Sequence, residues 1–296
     1  MKHLHSISAH ESGQILTEAA LSKVLMWVEM LDGRFFDYKG VTIMALVFLD
    51  LDGTTLYKGN PSEGIIETIA LLKANGHRPV IATGRVPHVL YGVDKVLGID
   101  DYIASNGQYI KFNDQVVLER YIPKDVIERL VSYCDKEQLD LVVESVDGYV
   151  AHSKLTPLVD EFSEIYNIEK PIVIPDYHLK NNILSCVFFA KEKIDEVREL
   201  FPELQFNRSN TFGYDVNLKG GLKAEGILWL IDYLSYPHEQ VYAIGDGLND
   251  ITMLESVHTG IAMGNAHPRL KAVASHITDD VTAQGVYKAL KHFRLI

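Results

Sequence analysis

Short apolar runs alternate along much of the chain with longer segments in which apolar residues recur at helical spacing. This alternation is typical of parallel βαβ units, whose strands are buried on both faces. The runs that predict strands are Ala45–Leu49, Pro79–Ala82, Tyr102–Ser105, Gln240–Ile244 and Gly260–Met263. The segments that predict helices are Pro61–Ala74, Val86–Leu97, Lys223–Tyr233, one ending at Glu255 and one beginning near Gln284. The expected fold class is therefore α/β, with a Rossmann-like parallel sheet as its core.

The pattern changes between Tyr121 and Leu218. The sequence there predicts a helix, two strands joined at Asp147-Gly148, a second helix, a strand over Ile183–Ala190, a helix over Lys191–Leu200 and two strands, Leu204–Arg208 and Thr211–Asn217. Helices mixed with hairpins indicate an α+β domain inserted into the first one. The predicted boundaries are a core of residues 44–121 and 219–296 and an inserted cap domain of residues 122–218.

Residues 1–43 differ in pattern from both predicted domains. They begin with a segment rich in histidine and serine and continue with helical apolar spacing from Ile15 to Leu31. The segment is interpreted as a packed amphipathic helix, an appendage, or the product of an early start site, since Met44 could begin a complete domain. The histidines His3, His5 and His10 match no spacing of a known metal site.

Polar side chains directly follow three of the predicted core strands. They are Asp50 and Asp52, then Thr83 and Gly84, then Asp246, Asn249 and Asp250. Because the carboxyl ends of parallel strands meet at one edge of a sheet, we expect these groups to lie together. Carboxylates held so close repel one another, which implies a cation. Oxygen ligands without nearby cysteine or histidine favour a hard cation, and Mg²⁺ fits best.

Each of these motifs also has a plainer structural interpretation. Asp50 and Asp52 could simply end a strand, with Gly53 in the turn, Thr54 or Thr83 as a helix cap, and Lys223 as a solvated residue in the first turn of a helix. An EF-hand loop that starts at Asp50 is excluded, because Gly53 comes too early and no glutamate stands at the twelfth position.

Phosphoryl transfer is the chemistry that these residues suit. A cation together with Lys223 would neutralise a phosphoryl group in an acidic pocket. Asp50 could act as a nucleophile that forms an aspartyl-phosphate. Asp52, two residues further on, is placed to protonate the leaving group and then to activate water.

Four motifs in this order resemble those of the haloacid dehalogenase-like phosphatases. They are Asp50-Leu51-Asp52-Gly53-Thr54, Thr83-Gly84-Arg85, Lys223, and Gly245-Asp246-Gly247-Leu248-Asn249-Asp250. The long insertion between the second and third motifs, preceded by Ser105-Asn106-Gly107, resembles the Cof-type branch with its α+β cap. The resemblance covers residues 44–296. The 43-residue leader and Thr55, where an apolar residue is common, depart from the family pattern without touching the proposed chemistry.

The resemblance implies a role for each matching residue. Asp50 would be the nucleophile and Asp52 the general acid and base. The phosphoryl oxygens would be held by the backbone at Leu51 and Gly84 and by Thr83, Lys223 and Asn249. Mg²⁺ would be bound by Asp50, the carbonyl of Asp52 and Asp246, with Asp250 as support from the second layer. Arg85 matches the motif, with less reason to expect contact with substrate.

Composition narrows the possible partners and compartments. The formal net charge of −12 argues against nucleic acids and anionic membranes as partners. Cys134 and Cys186 are too few for a disulfide framework, and the chain shows neither a signal peptide nor an apolar run of membrane-spanning length. We expect a cytoplasmic protein with two inert core thiols.

The sequence therefore predicts a Mg²⁺-dependent phosphatase of small phosphorylated metabolites. The family resemblance allows sugar phosphates, flavin mononucleotide or pyridoxal phosphate as substrates. Two alternatives stay open: a phosphomutase that uses the same aspartyl-phosphate, and a protein that binds a phosphate ligand without turnover. Tyr149, His152 and Phe212 are candidates for the substrate pocket, although core packing explains such residues equally well. The sequence does not indicate an oligomeric state.

Overall fold

The computed structural model of the protein describes residues 44–190, 194–209 and 211–296. The predicted helix and histidines within residues 1–43, and the start of the helix predicted at Lys191, lie outside the described residues. None of the helices in the described part of the chain is both long and apolar enough to span a membrane.

The helices and strands of the described residues alternate first in β/α order and later in mixed order. The strands are β1 (Leu46–Leu49), β2 (Leu56–Tyr57), β3 (Asn60–Pro61), β4 (Arg78–Ala82), β5 (Tyr102–Ala104), β6 (Tyr109–Phe112), β7 (Gln115–Glu119), β8 (Asp140–Glu144), β9 (Tyr149–Ser153), β10 (Ser185–Phe189), β11 (Leu204–Arg208), β12 (Gly213–Leu218), β13 (Val241–Gly245), β14 (Thr259–Ala262) and β15 (His276–Ile277). The helices are α1 (Ile65–Ala74), α2 (Val93–Leu97), α3 (Lys124–Glu137), α4 (Leu158–Ile165), α5 (Tyr177–Lys180), α6 (Ile194–Leu200), α7 (Lys223–Leu234), α8 (Ile251–Glu255), α9 (Pro268–Lys271) and α10 (Gly285–His292).

A sheet with the strand order β15-β14-β13-β1-β4-β5-β6-β7 forms the core. The first six strands in this order run parallel, and β6 and β7 extend the edge in antiparallel fashion. The central strand β1 is buried at all four positions, as expected of a strand covered on both faces. Because β1 lies between β13 and β4, the three polar clusters that follow these strands meet at one edge. The predicted α/β class with a Rossmann-like parallel sheet is confirmed.

A second sheet, β11-β12-β10-β8-β9, is wholly antiparallel. One of its faces contributes Val143, Cys186 and Phe188 to a buried apolar cluster that also contains Leu130 of α3 and Val197 of α6. Its strands fall between Asp140 and Leu218, so the sheet belongs to the predicted insertion. We call it the cap sheet. Cys134 and Cys186 are free and buried, as predicted.

Gln108 connects the two sheets at the point where the chain passes between them. Its Nε2 donates to the carbonyls of Arg120 and Leu184, at 3.0 and 2.8 Å. Its Oε1 accepts from the backbone N–H of Leu218 at 3.0 Å. One fully buried side chain thus satisfies backbone groups of three segments that cross between the sheets.

Several predicted elements needed correction. The helix predicted from Pro61 begins only at Ile65, because β2 and β3 form a hairpin that includes Pro61. The helix predicted over Val86–Leu97 is interrupted at Tyr91 and Gly92, whose φ angles are 49° and 77°. The short elements β7, β15, α5 and α9 were not predicted. Each is short or at an edge, where apolar periodicity is weak.

Candidate active site

Asp50 directly follows β1, and its carboxylate contacts the side chain of Lys223. Lys223 is the first residue of α7, and its side chain is 0% exposed. Its Nζ donates to Oδ1 of Asp50 and, at 2.7 Å, to Oδ1 of Asp250. A lysine at a helix N-terminus is unfavourable by itself, so two carboxylates compensate for both burial and the helix dipole. The interpretation of Lys223 as a solvated surface residue is therefore excluded.

Asp250 holds the turn after β13 in place. Its Oδ2 accepts from the backbone N–H groups of Asp246 and Gly247, at 3.0 and 2.9 Å. Its other oxygen accepts from Lys223, so both oxygens are used. Asp250 is completely buried. Its observed contacts are those of a residue that fixes the backbone and the lysine around the site.

Asp246 is oriented by hydrogen bonds from two loops, one after β1 and one after β14. Thr54 donates to its Oδ1 at 3.1 Å, and Asn265 donates to its Oδ2 at 3.3 Å and to the carbonyl of Gly53 at 2.8 Å. Gly53 has a φ of 84°, and a Cβ at this position would overlap the Asp246 carboxylate. Glycine is therefore required here for both backbone conformation and close approach.

Carboxylate oxygens of Asp50, Asp246 and Asp250 all lie within 4.8 Å of one another. Burial raises the pKa of Asp50 well above its usual range, against the opposing effect of Lys223. Burial, and secondarily the charge of Asp250, raises the pKa of Asp246 to about 6. One ammonium group does not offset three clustered carboxylates. Oxygen donors with excess negative charge fit a hard divalent cation.

Asp52 has a different partner from Asp50, although only one residue separates them. Its carboxylate accepts two hydrogen bonds from Arg85, from Nε at 2.8 Å and from Nη2 at 2.6 Å. The Asp52 side chain is 50% exposed and that of Arg85 is 12% exposed. The Asp52 carboxylate is therefore outside the acidic cluster and is held at the rim of the cavity by a bidentate ion pair.

The remaining predicted residues surround the same space. Thr83, Gly84 and Asn249 line the cavity together with Asp50, Asp52 and Lys223. Thr83 follows β4, and its hydroxyl accepts from the N–H of Arg85 at 3.1 Å, which leaves its own hydrogen available to donate. Leu51 has a buried side chain, and its carbonyl accepts from Leu56 N–H at 2.7 Å, which holds the turn.

The cavity has a volume of about 610 Å³ and lies between the core sheet edge and the cap sheet. Glu144, Ser185, Val187 and Asp215 line it from the cap sheet. Tyr149, His152 and Phe212 do not line it. His152 instead contacts Asp135 and the carbonyl of Pro175, at 2.8 and 2.9 Å. These three residues are therefore buried packing residues and do not belong to the substrate pocket.

No sequence pattern pointed to Asn265, and only the motif Thr83-Gly84-Arg85 pointed to Arg85. Asn265 belongs to no predicted motif, and it reaches Asp246 from the loop after β14. Its position depends on the strand order of the sheet and cannot be inferred from neighbouring residues. Arg85 was part of a recognised motif, but its pairing with Asp52 required the structure.

A family model of haloacid dehalogenase-like hydrolases matches residues 47–290, which include all four motifs and the inserted cap. The chain belongs to the haloacid dehalogenase-like hydrolases. The match spans most of the described residues, so family membership covers the core sheet and the cap sheet together. The predicted family resemblance is confirmed.

Relatives in this hydrolase family include named phosphatases. The chain is 34% identical over 252 residues to "Putative phosphatase YkrA" of Bacillus subtilis (strain 168). The aligned region covers 85% of this chain and 98% of the relative. It is 29% identical over 264 residues to the 5-amino-6-(5-phospho-D-ribitylamino)uracil phosphatase YitU of the same organism, with coverage of 84% and 97%. The solved structure of the HAD subclass IIB sugar phosphatase BT4131 superposes with a TM-score of 0.75 at 27% identity, covering 86% of this chain and 100% of that one. The protein is thus a phosphatase-type hydrolase.

Gly53→Ala is expected to lower activity far more than a matched glycine substitution does. Gly53 and Gly76 have nearly the same φ, 84° and 85°, but a Cβ at Gly76 would meet no atom of the described part of the chain within 4 Å. Both variants share the strain of a positive φ, whereas only Gly53→Ala displaces Asp246. Such a displacement costs about 100-fold in kcat/KM. Steady-state phosphate release and thermal melting of both variants test this, and equal activities would contradict it.

Proposed function

We propose that the protein is a Mg²⁺-dependent phosphatase that hydrolyses small phosphorylated metabolites through an aspartyl-phosphate on Asp50. The observation that carries the proposal is the position of Asp50, which faces the cavity at the carboxyl edge of the sheet beside Lys223 and the Asp246–Asp250 pair. The names of the relatives, a sugar phosphatase and a phosphoribitylaminouracil phosphatase, support small polyol-type monophosphates as substrates.

Asp50 is suited to nucleophilic attack. Lys223 uses only Oδ1 of the carboxylate, and Oδ2 accepts no hydrogen bond from the described residues. Oδ2 would attack phosphorus, and the bond between phosphorus and the leaving oxygen would break. Lys223 would stay in place and stabilise the carboxylate before the attack and the phosphoryl oxygens during it.

Asp52 would donate a proton to the leaving oxygen and then accept one from the attacking water. Water adds to phosphorus, the bond to Asp50 breaks, and inorganic phosphate leaves with Asp50 regenerated. Thr83 and the backbone at Leu51 and Gly84 would hold the phosphoryl oxygens, with Asn249 beside them. The exposure of Asp52 at the rim leaves it accessible to both the leaving group and water.

The cation would be held by Asp50, Asp246 and the carbonyl of Asp52. Asp250 would support this site by holding Lys223 and the turn after β13 in place. When bound, Mg²⁺ would offset the charge of these carboxylates and of the phosphoryl oxygens. The fit rests on the clustered oxygen donors and on the raised pKa of Asp50 and of Asp246, both of which are caused mainly by burial.

The direct test is release of phosphate from a panel of phosphorylated metabolites, with and without Mg²⁺. We expect release with Mg²⁺, loss of release after chelation and recovery when Mg²⁺ is added back. Transfer of the phosphoryl group to a second position of the substrate, with dependence on a bisphosphate activator, would instead identify a phosphomutase. Binding without release would identify a ligand-binding protein, although every proposed catalytic position carries a competent side chain.

Arg85 is proposed to position Asp52, and Arg85→Lys tests this role. Lysine cannot replace the two parallel hydrogen bonds, so we expect kcat/KM for alkyl phosphates to fall by about tenfold. p-Nitrophenyl phosphate, whose leaving group needs little protonation, should be affected less. Arg78→Lys is the matched control, since Arg78 pairs with Asp101 at 2.6 Å away from the cavity. Equal losses for both kinds of substrate would contradict the positioning role.

We also propose that residues 122–218 form the cap and that residues 44–121 and 219–296 form the core. The two buried free thiols support a cytoplasmic location. The net charge of −12 supports small molecules, rather than nucleic acid or anionic membrane, as partners.

A further inference from the structure

The face of the cap sheet that lines the cavity carries polar side chains in neighbouring strands. In register, Ser185 of β10 lies beside Glu144 of β8 and beside Asn217 of β12. One step further along the same face, Val187 lies beside Asp215. All five residues line the cavity. Because side chains alternate along a strand, the residues between them point to the apolar side of the sheet.

Glu144 and Asp215 bring two buried carboxyl groups into this part of the cavity without a basic partner among the described residues. Ser185 donates to Glu144 at 2.6 Å, and neither carboxylate forms an ion pair within the described part of the chain. Burial, with a smaller contribution from Asp215, raises the pKa of Glu144 to about 8. Burial likewise raises the pKa of Asp215 to about 6. Burial thus disfavours the charged form of both groups, so a neutral or cationic ligand group suits this wall better than an anionic one.

Asn106 offers a third acceptor, independent of these carboxylates. Its Nδ2 donates to Oδ1 of Asn217 at 3.1 Å, and Nδ2 of Asn217 donates to the carbonyl of Ser105 at 3.3 Å. This chain of bonds fixes both amide orientations, so the unused atom of Asn106 is Oδ1. Asn106 lines the cavity at 4% exposure, and its Oδ1 has no hydrogen-bond partner among the residues that the structure describes.

The backbone around Asn106 is held in a costly conformation. Ser105 and Asn106 have φ angles of 50° and 52°. Positive φ at consecutive residues other than glycine persists only where the surroundings enforce it, and such strain is concentrated at binding sites. A Cβ built on Gly84 would lie 3.2 Å from Oδ1 of Asn106. The free acceptor therefore lies between the proposed phosphate site and the cap sheet.

We propose that Asn106, Glu144 and Asp215 form a subsite that accepts hydrogen bonds from hydroxyl or ammonium groups of the leaving group and excludes leaving groups with a second negative charge. The proposal rests on the proposed phosphatase function and adds a class of substrate to it. Such a subsite would select neutral or amino-substituted polyol monophosphates over bisphosphates and phosphorylated acids.

Three of the four basic residues that line the cavity in the described part of the chain are already paired with carboxylates. Lys223 is held by Asp50 and Asp250, and Arg85 by Asp52. Arg198 pairs with Asp195 at 3.1 Å. Arg208, the fourth, is exposed to solvent and donates to the carbonyl of Thr211 at 3.2 Å. A second anionic group beside Asn106, Glu144 and Asp215 would thus meet acceptor groups and carboxyl groups, and Arg208 is the one cavity-lining cation among the described residues that is left without a carboxylate partner.

Three probes of equal chain length test the subsite: glucose 6-phosphate, glucosamine 6-phosphate and 6-phosphogluconate. Each is measured as a competitive inhibitor of p-nitrophenyl phosphate hydrolysis, so that no probe needs to be turned over. We expect 6-phosphogluconate to bind the wild-type enzyme about tenfold or more weakly than the other two, because like charges juxtaposed in an enclosed site repel. Comparison of the amino sugar with the parent sugar separates recognition of ammonium from recognition of hydroxyl.

The double variant Glu144→Gln and Asp215→Asn should bring the three inhibition constants to within about threefold. Hydrolysis of p-nitrophenyl phosphate by this variant is the reference reaction for its inhibition constants, and its melting temperature should be equal to or above that of the wild type, since two buried ionisable groups become neutral amides. Glu128→Gln, at an exposed position of α3 outside the cavity, is the control. Unchanged discrimination in the double variant, or no discrimination or competition by the probes in the wild type, would overturn the subsite. Failure of the wild type to hydrolyse p-nitrophenyl phosphate would instead overturn the phosphatase function.

Discussion

Asp50→Asn is expected to lower phosphate release by about 10³-fold or more, because the amide cannot act as the phosphoryl acceptor. The variant should remain folded. Asp50 is buried beside Asp246 and Asp250, and burial raises its pKa, so a neutral side chain of the same shape relieves repulsion at this position. Its melting temperature without Mg²⁺ should therefore be equal to or above that of the wild type.

The same variant separates catalysis from metal binding. Mg²⁺ is expected to raise the melting temperature of the wild type, and the rise should be smaller for Asp50→Asn, which lacks one charged ligand. Asp101→Asn is the matched control, since Asp101 is also buried and paired, with Arg78 at 2.6 Å. We expect the control to lose stability and keep its activity per folded molecule. Normal phosphate release by Asp50→Asn would exclude Asp50 as the nucleophile.

Lys223→Met should cause the second largest effect and should impair both stability and activity. Removing the ammonium leaves Asp50 and Asp250 buried without their shared partner, at side-chain exposures of 9% and 0%. Breaking a buried pair of this kind costs about 3–5 kcal/mol of unfolding free energy. Phosphate release should fall as well, since the charge that would stabilise the phosphoryl oxygens is lost. Denaturant unfolding and steady-state kinetics measure the two effects.

A double-mutant cycle shows whether the carboxylates cause the instability of Lys223→Met. In the Asp250→Asn background the same substitution should cost less, because one of the two unpaired charges is already neutral. Lys219→Met, at an exposed position just before α7, is the control and should leave the melting temperature unchanged. Additive costs in the cycle would contradict the proposed shared partnership.

The core sheet and the position of the site were predictable from the sequence for a definite reason. The runs that became β1, β4 and β13 are buried on both faces, so their apolar character is continuous and easy to recognise. Polar residues directly after such strands must lie at the sheet edge. Residues as distant in sequence as Asp50 and Asp246 could therefore be expected to meet.

Other features depend on contacts that no local pattern carries. The pairing of Arg85 with Asp52 joins two loops, and the alignment of Glu144 with Ser185 and Asp215 depends on the register of three antiparallel strands. The β2–β3 hairpin was missed because its two-residue strands are too short to show alternation. The substrate preference that we propose depends on such cap contacts, so the motifs alone left the substrate open.

The most direct test of the account is to trap the intermediate. The enzyme is mixed with a substrate that it hydrolyses and with Mg²⁺, quenched within a turnover and reduced with borohydride, which converts an aspartyl-phosphate into homoserine. We expect homoserine at position 50 of the wild type and none in Asp50→Asn. Homoserine at another aspartate, or none at all while phosphate is released, would contradict it.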